Sequence, residues 1–400
     1  MIVLAGGDLV LPDSILTSAS LLIDGHSIAA VEPRPAVDAA GASIVDVRDH
    51  YVVPGFIDVH VHGVEGYDTL DPGTPVAEIA ARLPRYGVTA FCPTTVACGP
   101  AVLRDVLQQV AHVRSAAPAG SARVLPAHLE SNFINPDYRG AQPAECLRLP
   151  PLEDGAGTQG DFSGRDILDV MDAAGPDVGI VTLAPELPGA IDLVRSLVAA
   201  GRRVSIGHSG ADVDEAIAAI DAGARHATHL FNRMSPIAHR APGVAGAVLA
   251  REEVAVELIC DGYHVHPAMS CIAIAAKGRD GVMAITDGTA GSGLQVGAHA
   301  RLGGRRIRVT DSAAVLDDGT LAGSTLTMDR AFRTVVQRFG VSVVDAAVLC
   351  ATTPARVLGL AGFGVIARDC AADVVVLDRA FRVAHTFIGG RAVFGTTVSR

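Results

Sequence analysis

The chain contains no tryptophan, and aromatic residues make up only 4% of its 400 residues. Its hydrophobic content of 49% is therefore carried mainly by Ala, Val, Leu and Ile, which still allows a sizeable core. Lysine is nearly missing as well: Lys277 is the sole one, and every other basic side chain is Arg. The net charge of −11 argues against a nucleic-acid or anionic-membrane surface. A local cluster of Arg or His can still receive a small anion. No uncharged apolar run reaches membrane-spanning length. Seven cysteines, an odd number without paired spacing, do not read as a disulfide framework, and Cys92 and Cys98 read as buried thiols. The opening Met1-Ile2-Val3-Leu4, followed by Gly6, Gly7 and Asp8, lacks a basic leader and a cleavage site. A cytoplasmic location is the expectation.

What is present is an alternation. Both ends of the chain are β-rich, with a hairpin signal at Asp24-Gly25 and another at Gly389-Gly390. The body between them alternates strand and helix, which implies parallel strands. Eight strands are expected, at 53–62, 88–95, 124–131, 178–186, 203–209, 226–232, 254–261 and 282–287. Amphipathic helices fall between most of them, for example at 188–200 and 211–222, and Gly201 and Gly223 stand where helix stops belong. The predicted fold is α/β: a (β/α)8 TIM barrel over 54–360, with a small β-sandwich formed by 1–53 and 361–400. A Gly-rich stretch, 291–323, is long for a barrel loop and reads as a hairpin insert or a lid.

A parallel barrel gathers the C-terminal ends of its strands at one mouth, so polar residues scattered along the chain converge there. His60 and His62, two apart on the first strand, share a face and suit a divalent cation. Glu130 ends the third strand, His208 the fifth and His229 the sixth. Together these three supply a ligand set that leaves a position open for water, as in a catalytic zinc site. Asp287 ends the eighth strand, where it can take a proton from water and deliver it to a leaving amine. Taken singly, each of these residues is as readily a surface histidine, a solvated carboxylate or a capping Asp; it is the common depth that changes the reading. His128 shares Glu130's face but lies deeper, in a packed role. A second group follows the sixth and seventh strands: Asn232, Arg233, Arg240 and Asp261-Gly262-Tyr263-His264. Arg suits bidentate contact with phosphate or carboxylate, and a surface salt bridge is the plainer alternative for each.

Read together, these strings resemble the N-acetylglucosamine-6-phosphate deacetylases of the amidohydrolase superfamily. The strings are Pro54-Gly55-Phe56-Ile57-Asp58-Val59-His60, His128-Leu129-Glu130, Gly207-His208-Ser209, Thr228-His229-Leu230-Phe231-Asn232, Asp261-Gly262-Tyr263-His264, Thr286-Asp287 and Leu321-Ala322-Gly323-Ser324. The resemblance implies a homodimer and a metal, zinc first and Fe, Mn or Co as alternatives, held by Glu130, His208 and His229. His60 and His62 match positions that bind a second metal in some members, so one or two ions per subunit are implied. Asp287 matches the catalytic acid/base. His264 matches a histidine that helps polarise the amide carbonyl. Asn232 matches the phosphate site, and Arg240 an arginine that reaches the neighbouring subunit's substrate.

Four segments depart from the family pattern. Ser131-Asn132 follow Glu130 in place of Gly-Pro. The string Arg139-Gly140-Ala141-Gln142 ends in Gln in place of His, which puts Ala141 and Gln142 among the substrate-facing candidates. Arg233 stands where Ala is usual, and Gly288-Thr289-Ala290-Gly291-Ser292-Gly293 replaces an Ala-rich loop. The expected reaction is hydrolysis of the N-acetyl group of N-acetylglucosamine 6-phosphate. An N-acetylgalactosamine 6-phosphate, or another acylated amino sugar, is the nearest alternative. A cyclic-amide hydrolase would need a lysine on the fourth strand, and none is there. A non-catalytic sugar-phosphate sensor would have lost ligands or Asp287, and none is lost.

Overall fold

The computed structural model describes residues 1–34, 41–151 and 160–395. Eight parallel strands form the body: Phe56–Val61, Val88–Thr95, Ala127–Glu130, Val178–Leu183, Arg203–Ile206, His226–Ala227, Ala255–Ile259 and Val282–Ile285. Each pairs in parallel with the next. The ring closes where the eighth strand meets the first, through a parallel bridge between Val61 and Gly288. Asp58 stitches the same seam, accepting from the Thr286 hydroxyl at 2.6 Å and the Thr286 amide at 3.3 Å. The barrel strands are buried along nearly their whole length, as expected for a sheet with helices outside and packed side chains inside.

The chain ends pair in a separate sheet, as the β-rich termini imply. Ile2–Val10 pairs with Ile15–Asp24, and the C-terminal strands Val374–Leu377, Val383–Ile388 and Arg391–Phe394 join through Tyr51–Pro54. This sheet has its own core, including Leu4, Leu21, Val374 and Phe387. The stretch expected as one strand over 53–62 is thus divided. Tyr51–Pro54 belongs to the terminal sheet, and Phe56 starts the barrel. Gly55 lies between them, packed so close to the Thr89 side chain that a Cβ there would clash with it.

The six strands from the third to the eighth are all shorter than expected, and two of them show why. The third breaks after Arg123–Val124 and resumes at Ala127, with Pro126, which has no amide to donate, in the gap. The sixth stops at Ala227, because His229, Phe231 and Arg233 all take left-handed backbone conformations (φ 29°, 75° and 52°) that no strand accommodates. The helices Ala190–Ala199 and Val213–Asp221 lie where the periodicity placed them. Asp212 and Glu215 form a capping box on the second. The 291–323 stretch forms a three-stranded antiparallel sheet of His299–Leu302, Arg305–Val309 and Ala314–Leu316 over a small core shared with Val96. It is tied to the mouth by Arg305, which donates to the Ala141 carbonyl at 2.9 Å.

Candidate metal centre

The C-terminal mouth of the barrel holds a cavity of about 410 Å3, lined by Glu130, His62, His208, His229 and Asp287 at its base. Two groups of side chains meet there. In the first, Glu130 Oε1 lies 2.9 Å from His208 Nε2 and 2.8 Å from His229 Nε2, and the two nitrogens are 3.1 Å apart. In the second, His60 Nε2 and His62 Nε2 are 3.2 Å apart and face Asp287 Oδ1 at 3.4 and 3.3 Å. Each group could hold a metal ion. A tetrahedral ion with bonds near 2.0–2.1 Å separates its ligand atoms by roughly 3.3 Å, and both groups are close to that spacing.

The protonation pattern supports the fit. His208 Nδ1 donates to the Tyr138 carbonyl at 2.8 Å, so in the neutral ring Nε2 carries a bare lone pair. His60 Nδ1 faces Glu257 at 2.9 Å, which leaves its Nε2 in the same state. Lone pairs and carboxylate oxygens pointing at one another at these distances repel unless a cation lies among them. Charge on the ring of His60 is opposed by burial. Glu257, Asp287 and Glu130 outweigh that and push its pKa up to about 10. Glu130 is fully buried, yet His208, His229 and His60 hold its carboxyl well below the usual carboxylate range. The cluster calls for positive charge.

Several of these residues stand in conformations that only a well-braced turn keeps. His208, His229 and Asp287 all have positive φ (49°, 29° and 50°). Non-glycine residues held there cost on the order of 1–3 kcal/mol each and concentrate at functional sites. The bracing is visible at Asp287. Its amide donates to the His60 carbonyl at 3.1 Å, and its own carbonyl accepts from the Ser324 amide at 2.7 Å. The Leu321-Ala322-Gly323-Ser324 string thereby fixes the end of the eighth strand. A Cβ at Gly323 would meet the Asp287 carbonyl oxygen at 2.8 Å, so only glycine fits this approach.

The other expected site residues divide. Asn232, Arg233 and Ala141 line the cavity. The Asn232 amide folds back on the His229 and Leu230 carbonyls at 3.3 and 3.4 Å, and Arg233 is exposed at the rim. His264 also lines it. Its Nδ1 meets Asp261 Oδ2 at 2.6 Å, and its Nε2 is buried without a hydrogen-bond partner. Gln142 lines the cavity as well, but both ends of its side-chain amide are already engaged. Its carbonyl accepts from the Ala97 amide at 2.7 Å and its NH2 donates to Glu130 Oε2. Arg240 is exposed near the Ala238–Ala241 bridge and does not line the cavity. Ser131 and Asn132 turn away from it. Ser131 donates to the Thr182 carbonyl at 2.6 Å, and Asn132 holds the Cys98 and Cys146 carbonyls at 2.8 and 2.7 Å. Neither side chain lines the cavity. Lys277 donates to the Val248 and Arg251 carbonyls, remote from the cluster.

One residue of the cluster escaped the sequence reading. Glu257 sits fully buried in the seventh strand beneath His60. Its signal was a lone acid inside the apolar run Ala255–Ile259. His128 and His226 lie with it in the barrel interior, where burial pushes both imidazoles below their ordinary pKa, His128 to about 3.

Comparison with known proteins extends this geometry. The amidohydrolase family matches residues 51–393. The chain is 38% identical over 362 residues to N-acetylglucosamine-6-phosphate deacetylase of Rattus norvegicus, covering 87% of this chain and 85% of that protein. It is 33% identical over 392 residues to N-acetylgalactosamine-6-phosphate deacetylase of Escherichia coli O157:H7, covering 97% and 98%. Among solved structures, a mutant N-acetyl-D-glucosamine-6-phosphate deacetylase from Mycobacterium smegmatis, in complex with N-acetyl-D-glucosamine-6-phosphate, superposes with a TM-score of 0.86. It shares 32% identity, with 98% of this chain and 99% of that one covered.

Proposed function

The chain belongs to the amidohydrolase family and, within it, to the N-acetylglucosamine-6-phosphate deacetylases; from that membership we propose that it hydrolyses the N-acetyl group of N-acetylglucosamine 6-phosphate, giving glucosamine 6-phosphate and acetate. The observation that carries the reading is the convergence of Glu130, His208 and His229 beside His60, His62 and Asp287 at the base of one cavity. Glu130, His208 and His229 would hold a divalent ion, zinc in our reading, which when bound would supply Lewis acidity to the acetyl carbonyl and lower the pKa of water. His60, His62 and Asp287 are the ligand set for a second ion.

The chain's own groups do the rest. Asp287 takes a proton from the attacking water as its oxygen bonds the carbonyl carbon, then gives that proton to the amine as the C–N bond breaks. His264 presents its free Nε2 to the cavity, where a protonated ring donates to the oxygen on which charge develops. The turn at Asn232 and the guanidinium of Arg233 receive the phosphate at the rim. In our reading Arg240, exposed beside the Ala238–Ala241 bridge, reaches the substrate of a second subunit in a homodimer. All seven cysteines are free, in keeping with a reducing cytoplasm.

A second reading keeps the chemistry and changes the sugar. It rests on the near full-length match to an N-acetylgalactosamine-6-phosphate deacetylase. Free-amine release from the gluco and galacto phosphates and from the unphosphorylated sugar, by protein of known metal content, decides between them. Turnover of the gluco phosphate well above the others supports the first reading. Preference for the galacto isomer replaces it with the second, and no turnover of either by metal-loaded protein overturns both.

A further inference from the structure

Glu257 has no part in the chemistry above, yet its buried carboxylate is engaged at both oxygens. Oε2 lies 2.9 Å from His60 Nδ1 and accepts the His229 backbone amide at 3.2 Å, while Oε1 lies 2.8 Å from His226 Nε2. His60, His128 and Glu257 could be taken for a further metal position. The hydrogen bonds argue otherwise. His128 Nδ1 points its proton at the Val59 carbonyl, 3.0 Å away, so it has no lone pair to offer an ion shared with Glu257 Oε1, 3.6 Å from it. What converges on Glu257 is a set of N–H donors, and the carboxylate is their common acceptor.

We propose that Glu257 is the positioning residue of the second ion site: by accepting the proton of His60 Nδ1 it fixes that ring's tautomer and rotation, and so presents the Nε2 lone pair to an ion shared with His62 and Asp287. Among the described residues Glu257 is the only hydrogen-bond partner of that nitrogen. The opposite edge of the ring faces His62 Nε2 at 3.2 Å and Asp287 Oδ1 at 3.4 Å. A ligating histidine whose other nitrogen donates to a buried carboxylate is held in orientation and made more basic, and loss of such a partner weakens metal binding about 10–100-fold. The first ion site is touched only through the His229 backbone, since no contact joins Glu257 to the rings of His208 or His229. The effect of Glu257 is therefore confined to one ion of two. This rests on the reading of His60, His62 and Asp287 as ligands and not on the identity of the substrate.

The test is a double-mutant cycle read as metal binding. Stripped full-length protein is titrated with Zn2+, and with Co2+ followed by its visible absorption, for wild type, E257M, H60Q and the pair. E257Q, which keeps the volume and one acceptor, is run alongside in case Met does not yield folded protein. Wild type is expected to take two ions. E257M is expected to weaken the second about 10–100-fold while the first stays within about threefold. E257Q gives a smaller loss, also confined to the second ion. In the H60Q background neither substitution changes metal binding further. Equal weakening of both ions, or an undiminished effect when His60 is absent, would mean that Glu257 merely supports the barrel, and overturns the proposal. So would a wild type that takes one ion only, although deacetylase activity would then still stand. Conversely, absence of turnover on every acetylated sugar would remove the proposed function and leave this cycle intact.

Discussion

His208 and His229 point their Nε2 atoms at each other across 3.1 Å, and both aim at one oxygen of Glu130. Three electron-rich atoms in a buried triangle are unstable without a cation, so metal and fold are linked. Removal of metal by a chelator should abolish turnover and lower the melting temperature, and Zn2+ should restore both. An ion present at about 100 times its Kd adds about 2.7 kcal/mol to the stability of the folded state. Thermal melts of stripped and reloaded protein check this. The Zn2+-dependent shift should largely disappear in Glu130→Gln, which keeps the shape but loses the charge that both imidazoles address.

Asp287 contacts the His60–His62 pair and not the His208–His229 pair. Asp287→Asn should therefore lower kcat by at least about 10^2-fold, the scale of a lost general base, while one ion stays bound through Glu130, His208 and His229. Metal analysis and steady-state kinetics on the same preparation are the check. Near wild-type turnover would remove Asp287 from its role as proton carrier.

Gln142 differs from the family pattern, and its position in the chain suggests a reader of sugar hydroxyls. Its geometry gives another expectation. Both ends of its amide are occupied, one by the Ala97 N–H and the other by Glu130 Oε2. Gln142→Ala should weaken metal binding, by about tenfold or more as for other partners of a ligating carboxylate, and leave KM at saturating metal within about twofold. A raised KM with unchanged metal affinity would instead assign Gln142 to the sugar.

The barrel was legible because its strands are short apolar runs with polar ends, a pattern that parallel sheets buried on both faces produce. His60, His62, Glu130, His208, His229 and Asp287 were legible for the same reason, since strand ends must share one mouth. The limits were equally physical. The strand after His226 gives no sign of stopping, because the left-handed turns at His229, Phe231 and Arg233 are made without the glycine that would mark them. Glu257 was hidden inside a strand, where the reading looked for chemistry only at the ends. Nothing in the sequence marks where Ser131 and Asn132 point, because a loop that leaves a strand can turn its side chains into the fold, as these two do.

The pair of Asp261 and His264 carries a pH dependence whose sign is fixed by the geometry. Burial works against charge on the His264 ring. The hydrogen bond and charge of Asp261, with Asp287 behind, outweigh it, so the imidazole titrates above its ordinary 6.5. A folded pKa above the unfolded one means that the folded protein holds this proton more tightly. The pair's contribution to stability is thus complete below about pH 6.5 and is lost as pH rises through the folded value. Asp261→Asn is a clean probe, because Asp261 Oδ1 also accepts the Tyr263 and His264 amides at 2.8 and 2.9 Å, and an Asn oxygen can keep those bonds. The loop should hold while the ring loses its charged acceptor. His264 is then expected to titrate at lower pH by NMR. The stability advantage of wild type over the variant should be greatest in acid and shrink toward alkaline pH. An advantage of the same size at every pH would mean that Asp261 acts through the loop amides alone and leaves the His264 proton untouched.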